Sequence, residues 1–346
     1  MISVQTLVFF ATFYENVLSC RSVTFDYKIF QPVRMYETKI YNAEEISECY
    51  DDYFVVVDNQ YIPELCCKFF ACKNILKSII FQNSFIREIE DNCFSNSVQN
   101  VRSLIEVSYN YLTTIKKHTF RDLVVLEISL RNNFIEELED EAFLHLNNLL
   151  GISLENNRLK VINPKAFTLV PRLEHLSLTG NHISTLQVGV FSFLPARNSN
   201  INLACNKIVQ LKKTAFDSLS SRITVNFNLN GNRIETLPED IFNNHSFGLF
   251  DLGYNPLKKI SRHFCEKQCV MERFRFDCTF LTFEDIEFIV DWAKVNEVDL
   301  AGSGCLQYNQ SVKSWSTKYC AGAKNFEAAL SWQLYVCFYL VLLFVL

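Results

Sequence analysis

Cysteine is the residue type whose number and placement most clearly imply chemistry in this sequence. The chain of 346 residues carries 13 cysteines, more than a reduced cytosolic protein holds without a metal role. Most of them lie towards the two ends of the chain, and this distribution favours disulfide bonds near both ends. The expected disulfide cysteines are Cys20, Cys49, Cys66, Cys67, Cys72, Cys93, Cys265, Cys269, Cys278, Cys305 and Cys320.

A zinc site is the alternative for the C-terminal cysteines. His263, Cys265, Cys269 and Cys278 are suitable zinc ligands by type, but their spacing matches no standard pair of ligand clusters. We therefore expect disulfides, with no metal and no other cofactor. The five C-terminal cysteines leave one over, which would pair elsewhere or remain a thiol, and Cys205 stands alone.

Catalytic motifs do not accompany the cysteines. The sequence lacks a GxSxG elbow, an HExxH helix, a P-loop and a GxGxxG run after a strand. Its six histidines are scattered. The 33 basic and 38 acidic residues give a net charge of −5, which provides no electrostatic footprint for nucleic acid. We expect a protein that is not an enzyme and does not bind nucleic acid.

One asparagine recurs through the middle of the chain at spacings of 23, 24, 24, 25, 26 and 23 residues. A phenylalanine follows ten residues after each of the first six, from Phe120 to Phe242, and Cys265 takes that position after the seventh. Such self-similarity is typical of a repeat architecture. The recurring asparagines are Asn110, Asn133, Asn157, Asn181, Asn206, Asn232 and Asn255.

Each repeat predicts a short strand, a sharp turn and a return segment. Alternating apolar residues such as Leu176 and Leu178 would face inward from the strand. The asparagine side chain can bond backbone groups of its own turn or of a neighbour's, so stacked coils would form an asparagine ladder. Two weaker repeats precede these, with Ser84 and Gln60 in the asparagine position. Stability would come from the stacking of neighbouring coils.

This pattern resembles the leucine-rich repeat in its typical extracellular length of about 24 residues. The resemblance implies an α/β leucine-rich-repeat solenoid: a curved horseshoe with a parallel sheet on its concave face and disulfide-bonded caps. A helix around Trp292 would cover the last coil. The predicted plan is a signal peptide at 1–19, an N-terminal cysteine cap at 20–51, about nine repeats at 52–270, a C-terminal cysteine cap at 271–320 and a membrane-attachment tail at 321–346.

Both ends of the chain predict export to the cell surface. The apolar run from Val4 to Tyr14 has the length of a signal-peptide core, although no Lys or Arg precedes it; the alternative is a core strand. Ala321 and Gly322, the expected lipid-attachment residues, precede a spacer and an apolar stretch, in the order of a GPI signal. A single membrane-spanning helix, a buried helix and simple secretion are the alternatives. Asn244 and Asn309 lie in glycosylation sequons.

The concave face is the expected binding surface, because its side chains project between the inward leucines. Tyr and Arg on this face are candidate anchors, because both are favoured at binding hot spots. The alternative is that the face is an ordinary solvated sheet surface with no partner. Tyr111 and Phe134 lie beside turn asparagines and are expected to form a separate exposed patch. The predicted partner-binding residues are Glu106, Tyr109, Arg131, Glu155, His175, Asn202, Asn228 and Tyr254.

The function implied by this resemblance is recognition at the extracellular face of the plasma membrane. The plan is similar, in fold and anchor, to that of GPI-anchored adhesion proteins such as connectin and chaoptin. The partner would be a protein or a glycan, and a homodimer is compatible with the fold class. Innate immune recognition, as in Toll-like receptor ectodomains or insect leucine-rich immune proteins, is the first alternative. A secreted structural or inhibitory binder is the second.

Overall fold

A computed structural model describes residues 25–30, 37–43, 54–66, 76–91, 93–94, 101–195, 198–219 and 223–303. The chain divides into two compact units, Met1–Leu176 with Val190–Arg197 and Ser177–Gly189 with Asn198–Leu346. Several predicted features lie outside the described residues. These are the signal peptide, the membrane-attachment tail with Ala321 and Gly322, the sequon at Asn309, and Cys20, Cys49, Cys67, Cys72, Cys305 and Cys320.

The first unit is built from short strands separated by turns. Two 2-stranded sheets and one 3-stranded sheet of two-residue strands accompany its main sheet. Over the described residues the strands are β1 Phe25–Phe30, β2 Glu37–Ala43, β3 Phe54–Asp58, β4 Glu64–Leu65, β5 Ser78–Gln82, β6 Glu88–Ile89, β7 Leu104–Ser108, β8 Thr114–Ile115, β9 Phe120–Arg121, β10 Glu127–Ser129, β11 Glu137–Leu138, β12 Phe143–Leu144, β13 Gly151–Ser153, β14 Phe167–Thr168 and β15 His175–Ser177, with a 3-10 helix at Pro164–Ala166.

The main sheet of this unit runs in the order β2-β1-β3-β5-β7-β10-β13-β15. The first two strands are antiparallel, and from β3 onward neighbouring strands are parallel. Val55 pairs with Ile79 and Val57 with Phe81 in the register of β3 and β5, and all four side chains are fully buried. Each strand therefore sends alternate residues inward, as the period of two requires.

The second unit is also built from parallel strands separated by turns. Its main strands run in the order β16-β17-β19-β21-β22, and all four pairings between them are parallel. Two strands lie beyond residue 270, so the sheet extends past the predicted end of the repeats. The elements are β16 Ser199–Asn202, β17 Thr224–Asn228, β18 Thr236–Leu237, β19 Ser246–Asp251, β20 Lys259–Ile260, β21 Val270–Asp277, β22 Asp299–Ser303, a 3-10 helix at Lys213–Ala215 and the helix α1 Phe283–Val295.

Helix α1 begins at an N-cap and packs its apolar side on the last coils. The Thr282 side chain accepts a hydrogen bond from the Asp285 N–H at 3.1 Å, which satisfies one of the unpaired donors of the first turn. Ile289 is fully buried, and the Trp292 ring lies 4.8 Å from the ring of Phe264. Among the described residues no helix has the length and apolarity needed to cross a membrane.

The recurring asparagines join consecutive coils through their side-chain amides. Asn157 Oδ1 accepts from the Ile135 N–H at 3.0 Å, while Asn157 Nδ2 donates to the carbonyl oxygens of Leu130 and Leu154, each at 3.0 Å. In the second unit Asn232 does the same with Ile208, Leu203 and Leu229. The remaining ladder residues are likewise buried and hydrogen-bonded to backbone: Asn110, Asn133, Asn181, Asn206 and Asn255.

The residue before each ladder position, which Gln60 and Ser84 occupy in the first two coils and asparagine in the others, adopts a left-handed backbone. Its φ lies between 51° and 71° in all nine coils, where non-glycine residues are uncommon. Glycine occupies two of these positions, and asparagine, which tolerates this region, occupies four. The other three are the bulkier Tyr109, Cys205 and Tyr254. The turn therefore keeps this conformation whichever residue occupies the position, because the hydrogen bonds of the ladder side chain that follows it fix the backbone.

A second buried ladder is made of phenylalanine rings in the first unit. Phe94, Phe120, Phe143 and Phe167 stack at centroid distances of 5.2 to 5.4 Å and interplanar angles of 13° or less. Phe193 extends the stack at 4.5 Å from Phe167. All of these spacings are close to the strand separation of about 4.7–4.9 Å, so each coil contributes one ring to the stack.

The cysteines follow the sequence prediction only in part. Cys265 and Cys269 form a disulfide, and Cys66 and Cys278 are also disulfide-bonded. Cys205, which was not among the expected disulfide cysteines, is disulfide-bonded as well. Cys93, which was among them, is instead a fully buried thiol in the apolar interior. Within the described ranges no group of His, Cys, Asp and Glu residues is arranged to hold a metal ion.

Replacing a ladder asparagine should destabilise the protein strongly. Asn157→Leu removes the acceptor for Ile135 N–H and the donor for two carbonyl oxygens, and each buried group left unsatisfied costs about 1–3 kcal/mol. We expect a loss of about 2–4 kcal/mol in the free energy of unfolding, measured by urea denaturation. The control Asn156→Gly keeps the φ of 53° and loses only a part-buried bond to Asn132, so it should cost about 1 kcal/mol or less. Equal free energies of unfolding for both variants and the parent would contradict a stabilising role of the asparagine ladder.

His245 makes the stability of the second unit depend on pH. Its side chain is 5% exposed and lies beside the rings of Phe216 and Phe247, and burial lowers the pKa of the imidazole below its ordinary value of 6.5. The unfolded chain therefore binds the proton more readily than the folded one as pH falls through and below 6.5, so the folded state loses stability there.

Removing this titration should flatten the pH dependence of stability. His245→Phe keeps an aromatic ring among Phe216 and Phe247 but cannot be protonated. We expect the parent to lose more free energy of unfolding than this variant between pH 7.5 and pH 5, as measured by urea denaturation at each pH. Parallel pH profiles would show that the neutral form of His245 does not matter for folding.

Candidate functional site

Three of the predicted binding residues come together on the solvent-facing side of the first unit's sheet. Glu106 lies on β7, Tyr109 lies in the turn that follows β7, and Arg131 follows β10. The pairing of Glu106 with Ser129 places β7 and β10 in register, so residues 25 positions apart in sequence become neighbours. We call Glu106, Tyr109 and Arg131 the face cluster.

Arg131 links the other two members of the face cluster. Its Nη2 lies 3.2 Å from Glu106 Oε1, and its guanidinium lies 5.9 Å from the centre of the Tyr109 ring. Glu106 also accepts a hydrogen bond from the Ser108 hydroxyl and is only 7% exposed. Tyr109 is 38% exposed. The cluster thus presents one tyrosine and one guanidinium to solvent, above a buried carboxylate that fixes the position of the guanidinium.

His175 lies on the same side of this sheet beside a local gap, and Glu155 follows the end of β13. Gly151 on β13 pairs with Glu127 on the neighbouring strand β10. A Cβ at Gly151 would lie 3.6 Å from Glu127 Cγ and 3.9 Å from His175 Cβ, so the glycine leaves a notch between those two side chains. His175 is exposed and Glu155 half-buried.

The predicted binding asparagines of the second unit are occupied by their own backbone. Asn202 Oδ1 accepts from the Ala204 N–H, and Asn228 Oδ1 accepts from the Asn230 N–H, both at 3.1 Å. Such local side-chain to backbone bonds are typical of asparagine at a strand end. These oxygens are therefore less available to a partner than the sequence predicted. Tyr254 is half-buried in its left-handed turn.

A neighbouring pair in this unit bridges three strands. Asn226 Nδ2 donates to Asn200 Oδ1 at 2.6 Å, and Asn226 Oδ1 accepts from the Leu249 N–H at 2.7 Å. A Cβ at Gly248 would lie 2.4 Å from Asn226 Oδ1, so only glycine allows this approach. The asparagine-rich side of this sheet is therefore held by bonds among its own groups.

Exposed aromatic rings form a row at the turns of the first unit. The row consists of residues that directly follow the ladder position, and consecutive ring centres are 6.0, 5.6 and 5.6 Å apart. A guanidinium ends the row 4.3 Å from the last ring centre. We call this row the aromatic ridge; its members are Tyr61, Phe85, Tyr111, Phe134 and Arg158.

The sequence indicated only the middle of the aromatic ridge. Tyr111 and Phe134 were expected to form an exposed patch, whereas Tyr61, Phe85 and Arg158 were missed. The signal was present, because Tyr61 follows Gln60 and Phe85 follows Ser84 in the two repeats whose asparagine is replaced. Reading one residue beyond the ladder position in every repeat would have identified the whole row.

Charged side chains elsewhere on the unit pair with one another. A hydrogen bond from Lys116 to Glu88 raises the pKa of the lysine. Hydrogen bonds from Lys117 and His118 lower the pKa of the Glu141 carboxyl. These are exposed ion pairs between successive coils, which contribute little to stability individually. They lie outside the face cluster and do not produce an acid-base pair suited to catalysis.

An open pocket between coils of the first unit is lined by Ser192, Thr168 and Lys165 among apolar residues. Its volume is about 430 Å³, and no His, Cys, Asp or Glu lines it. A hydroxyl nucleophile needs an adjacent base to activate it, and no His, Asp or Glu lines this pocket to serve as one. The lining residues are Pro164, Lys165, Phe167, Thr168, Leu169, Val170, Pro171, Ser192 and Phe193.

Comparisons with known proteins agree with this architecture. The family model described as leucine rich repeat matches residues 125–183. A search of curated proteins found no match. Among solved structures the chain is similar to Toll in the Drosophila Toll–Spatzle complex, described as a hub in development and innate immunity, with a TM-score of 0.55 and 18% identity. That alignment covers 68% of this chain and 31% of the Toll chain, so this chain spans about a third of its length.

Proposed function

We propose that this chain, a leucine-rich-repeat protein, is a non-enzymatic recognition protein that binds a protein partner through the exposed side of its parallel sheet. The face cluster carries this proposal. Arg and Tyr are the residue types most enriched at binding hot spots, and here Arg131 is held by Glu106 beside the Tyr109 ring. A side chain already fixed in place loses less conformational entropy when a partner binds.

Recognition at the cell surface is the setting we propose for this binding. Disulfides form and persist in oxidising compartments, and Cys66, Cys205, Cys265, Cys269 and Cys278 are disulfide-bonded. Adhesion, immune recognition and inhibition of another protein all use a rigid repeat surface, so the identity of the partner distinguishes them. The likeness to Toll concerns the fold, and the ligand named with Toll is a property of that protein.

Surface delivery can be tested by release from intact cells. We expect the full chain, expressed in insect cells, to stain at the surface and to enter the medium after treatment with phosphatidylinositol-specific phospholipase C. The same cells expressing a membrane-spanning control should retain that control. Retention of this protein would contradict lipid anchoring, and its absence from both surface and medium would contradict export.

The binding proposal predicts a specific loss of affinity from the face cluster. Purified full chain would be tested against an array of purified extracellular domains that includes adhesion proteins, secreted Spatzle-type ligands and immobilised glycans. For each protein that binds, Arg131→Ala should weaken affinity about tenfold or more, because about 1.4 kcal/mol of hot-spot energy corresponds to a factor of ten.

A matched variant separates this effect from a general change in charge. Lys165 is exposed and lies at the 3-10 helix Pro164–Ala166, away from the sheet face. Lys165→Ala removes the same charge and should leave affinity unchanged. If Arg131→Ala and Lys165→Ala bind equally well, the partner contacts another surface. Binding to glycans alone that does not depend on the aromatic ridge would favour a glycan partner.

A further inference from the structure

We infer that the aromatic ridge is a second docking surface, which accepts a protein segment whose apolar side chains pack on the ring edges and whose carboxylate pairs with Arg158. This inference rests on the proposed function and extends it, because it names the chemistry of the partner at a surface separate from the face cluster. Four observations lead to it: the orientation of the rings, the charge at one end, the backbone of Phe85 and the position beside the face cluster.

The rings cover one another's faces. Tyr111 stacks between Phe85 and Phe134 at interplanar angles of 11° and 23°. Phe134 in turn lies between Tyr111 and the guanidinium of Arg158. A sugar binds an aromatic residue by lying on its face, and here both faces of Tyr111 and Phe134 are covered. The Tyr61 ring, in contrast, is tilted by 48° to Phe85. The ring edges remain for contact, and edges pack against aliphatic or aromatic side chains of another protein.

The exposed part of the ridge is apolar except at one end. Tyr61 and Phe85 are 46% and 40% exposed, and Tyr111 and Phe134 are half-buried. Arg158 ends the row with a positive charge, and its planar guanidinium forms bidentate bonds with carboxylates. Stacking on Phe134 holds that guanidinium in one orientation. A complementary partner therefore places apolar side chains along the row and an Asp or Glu at this end.

Phe85 holds an unfavourable backbone conformation to join the row. Its φ is 60°, a region that bulky side chains rarely adopt, whereas the equivalent residues Tyr61, Tyr111 and Phe134 have ordinary φ values. The ring nevertheless lies exposed rather than in the core. Strained residues of this kind concentrate at binding and catalytic sites. Stacking of the ring on Tyr111 offsets part of the cost of this conformation.

The ridge begins beside the face cluster. Tyr109 and Tyr111 flank the buried Asn110, and the Tyr109 ring lies beneath Arg131 while the Tyr111 ring lies in the ridge. The ladder bonds of Asn110 to the carbonyls of Phe81 and Ser108 fix both flanking residues to one rigid turn. A protein segment that contacts the ridge can therefore extend onto the sheet face.

Selection of peptides on the purified full chain tests the inference directly. Random twelve-residue peptides displayed on phage would be panned on the parent protein, and the strongest binders synthesised for biolayer interferometry. We expect enriched peptides to combine apolar residues with at least one Asp or Glu. In the double variant Phe85→Asn, Tyr111→Ser their affinity should fall by about tenfold or more.

Variants at three positions make the result specific. Leu169→Asn is the matched control, because Leu169 is 59% exposed with a φ of 54° in another turn, and it should leave peptide affinity unchanged. Arg158→Glu should weaken binding of the acidic peptides, and Arg158→Lys should retain most of it. Phe85→Asn should change the melting temperature little, because asparagine tolerates the positive φ better but loses the ring contacts with Tyr61 and Tyr111.

Each other outcome would contradict the inference that the aromatic ridge docks a protein segment. No enriched peptide, or peptides whose affinity is the same in the ridge variants, would show that the row is not a docking surface. Binding of a glycan array that is lost in the ridge variants would show that its ligand is a sugar. Peptides that lose affinity only with Arg131→Ala would overturn the ridge while supporting the face cluster, so the two proposals fail separately.

Discussion

The side-chain amide of the recurring asparagine is the interaction on which the rest of the structure depends. Where each coil leaves its strand, backbone bonds between coils continue at some positions, such as Asn132 N–H to the Glu155 carbonyl, but other buried backbone groups need a side-chain partner. The amide supplies one acceptor and two donor hydrogens, and at Asn157 these meet one N–H and two carbonyl oxygens from two successive coils. Few other side chains offer both functions in so small a volume, so the asparagine recurs wherever a coil must join the next.

This constraint also generates the surfaces proposed for binding. The ladder holds the preceding residue in a left-handed conformation and directs the following residue outward, coil after coil. Side chains at equivalent positions are then brought to about the strand separation, which suits stacked aromatic rings. The buried phenylalanine ladder and the exposed aromatic ridge share this cause, on the inside and the outside of the same coils. A repeat that stabilises the fold thus also arranges one row of contact residues.

The two proposed surfaces differ in how they would bind. The face cluster joins a buried carboxylate, a guanidinium and a tyrosine, so it offers polar recognition with a preorganised charge. The ridge offers ring edges and a terminal guanidinium, so it favours apolar side chains beside one acidic group. In the second unit, the asparagine side chains on this side of the sheet are hydrogen-bonded to groups of their own strands and turns. We therefore place recognition in the first unit.

The repeat, its register and the helix around Trp292 were determined by the sequence alone, because one asparagine and one phenylalanine per coil are visible as a period and because apolar spacing predicts a helix. The tertiary structure decided what happens between coils. It buried Glu106 beneath Arg131, gave the oxygens of Asn202 and Asn228 to backbone N–H groups, placed Cys205 in a disulfide and left Cys93 a buried thiol. It also joined five residues from five coils into the aromatic ridge. The physical reason is that these contacts join residues about 24 positions apart, so their partners depend on how the coils stack and on which groups compete for each hydrogen bond.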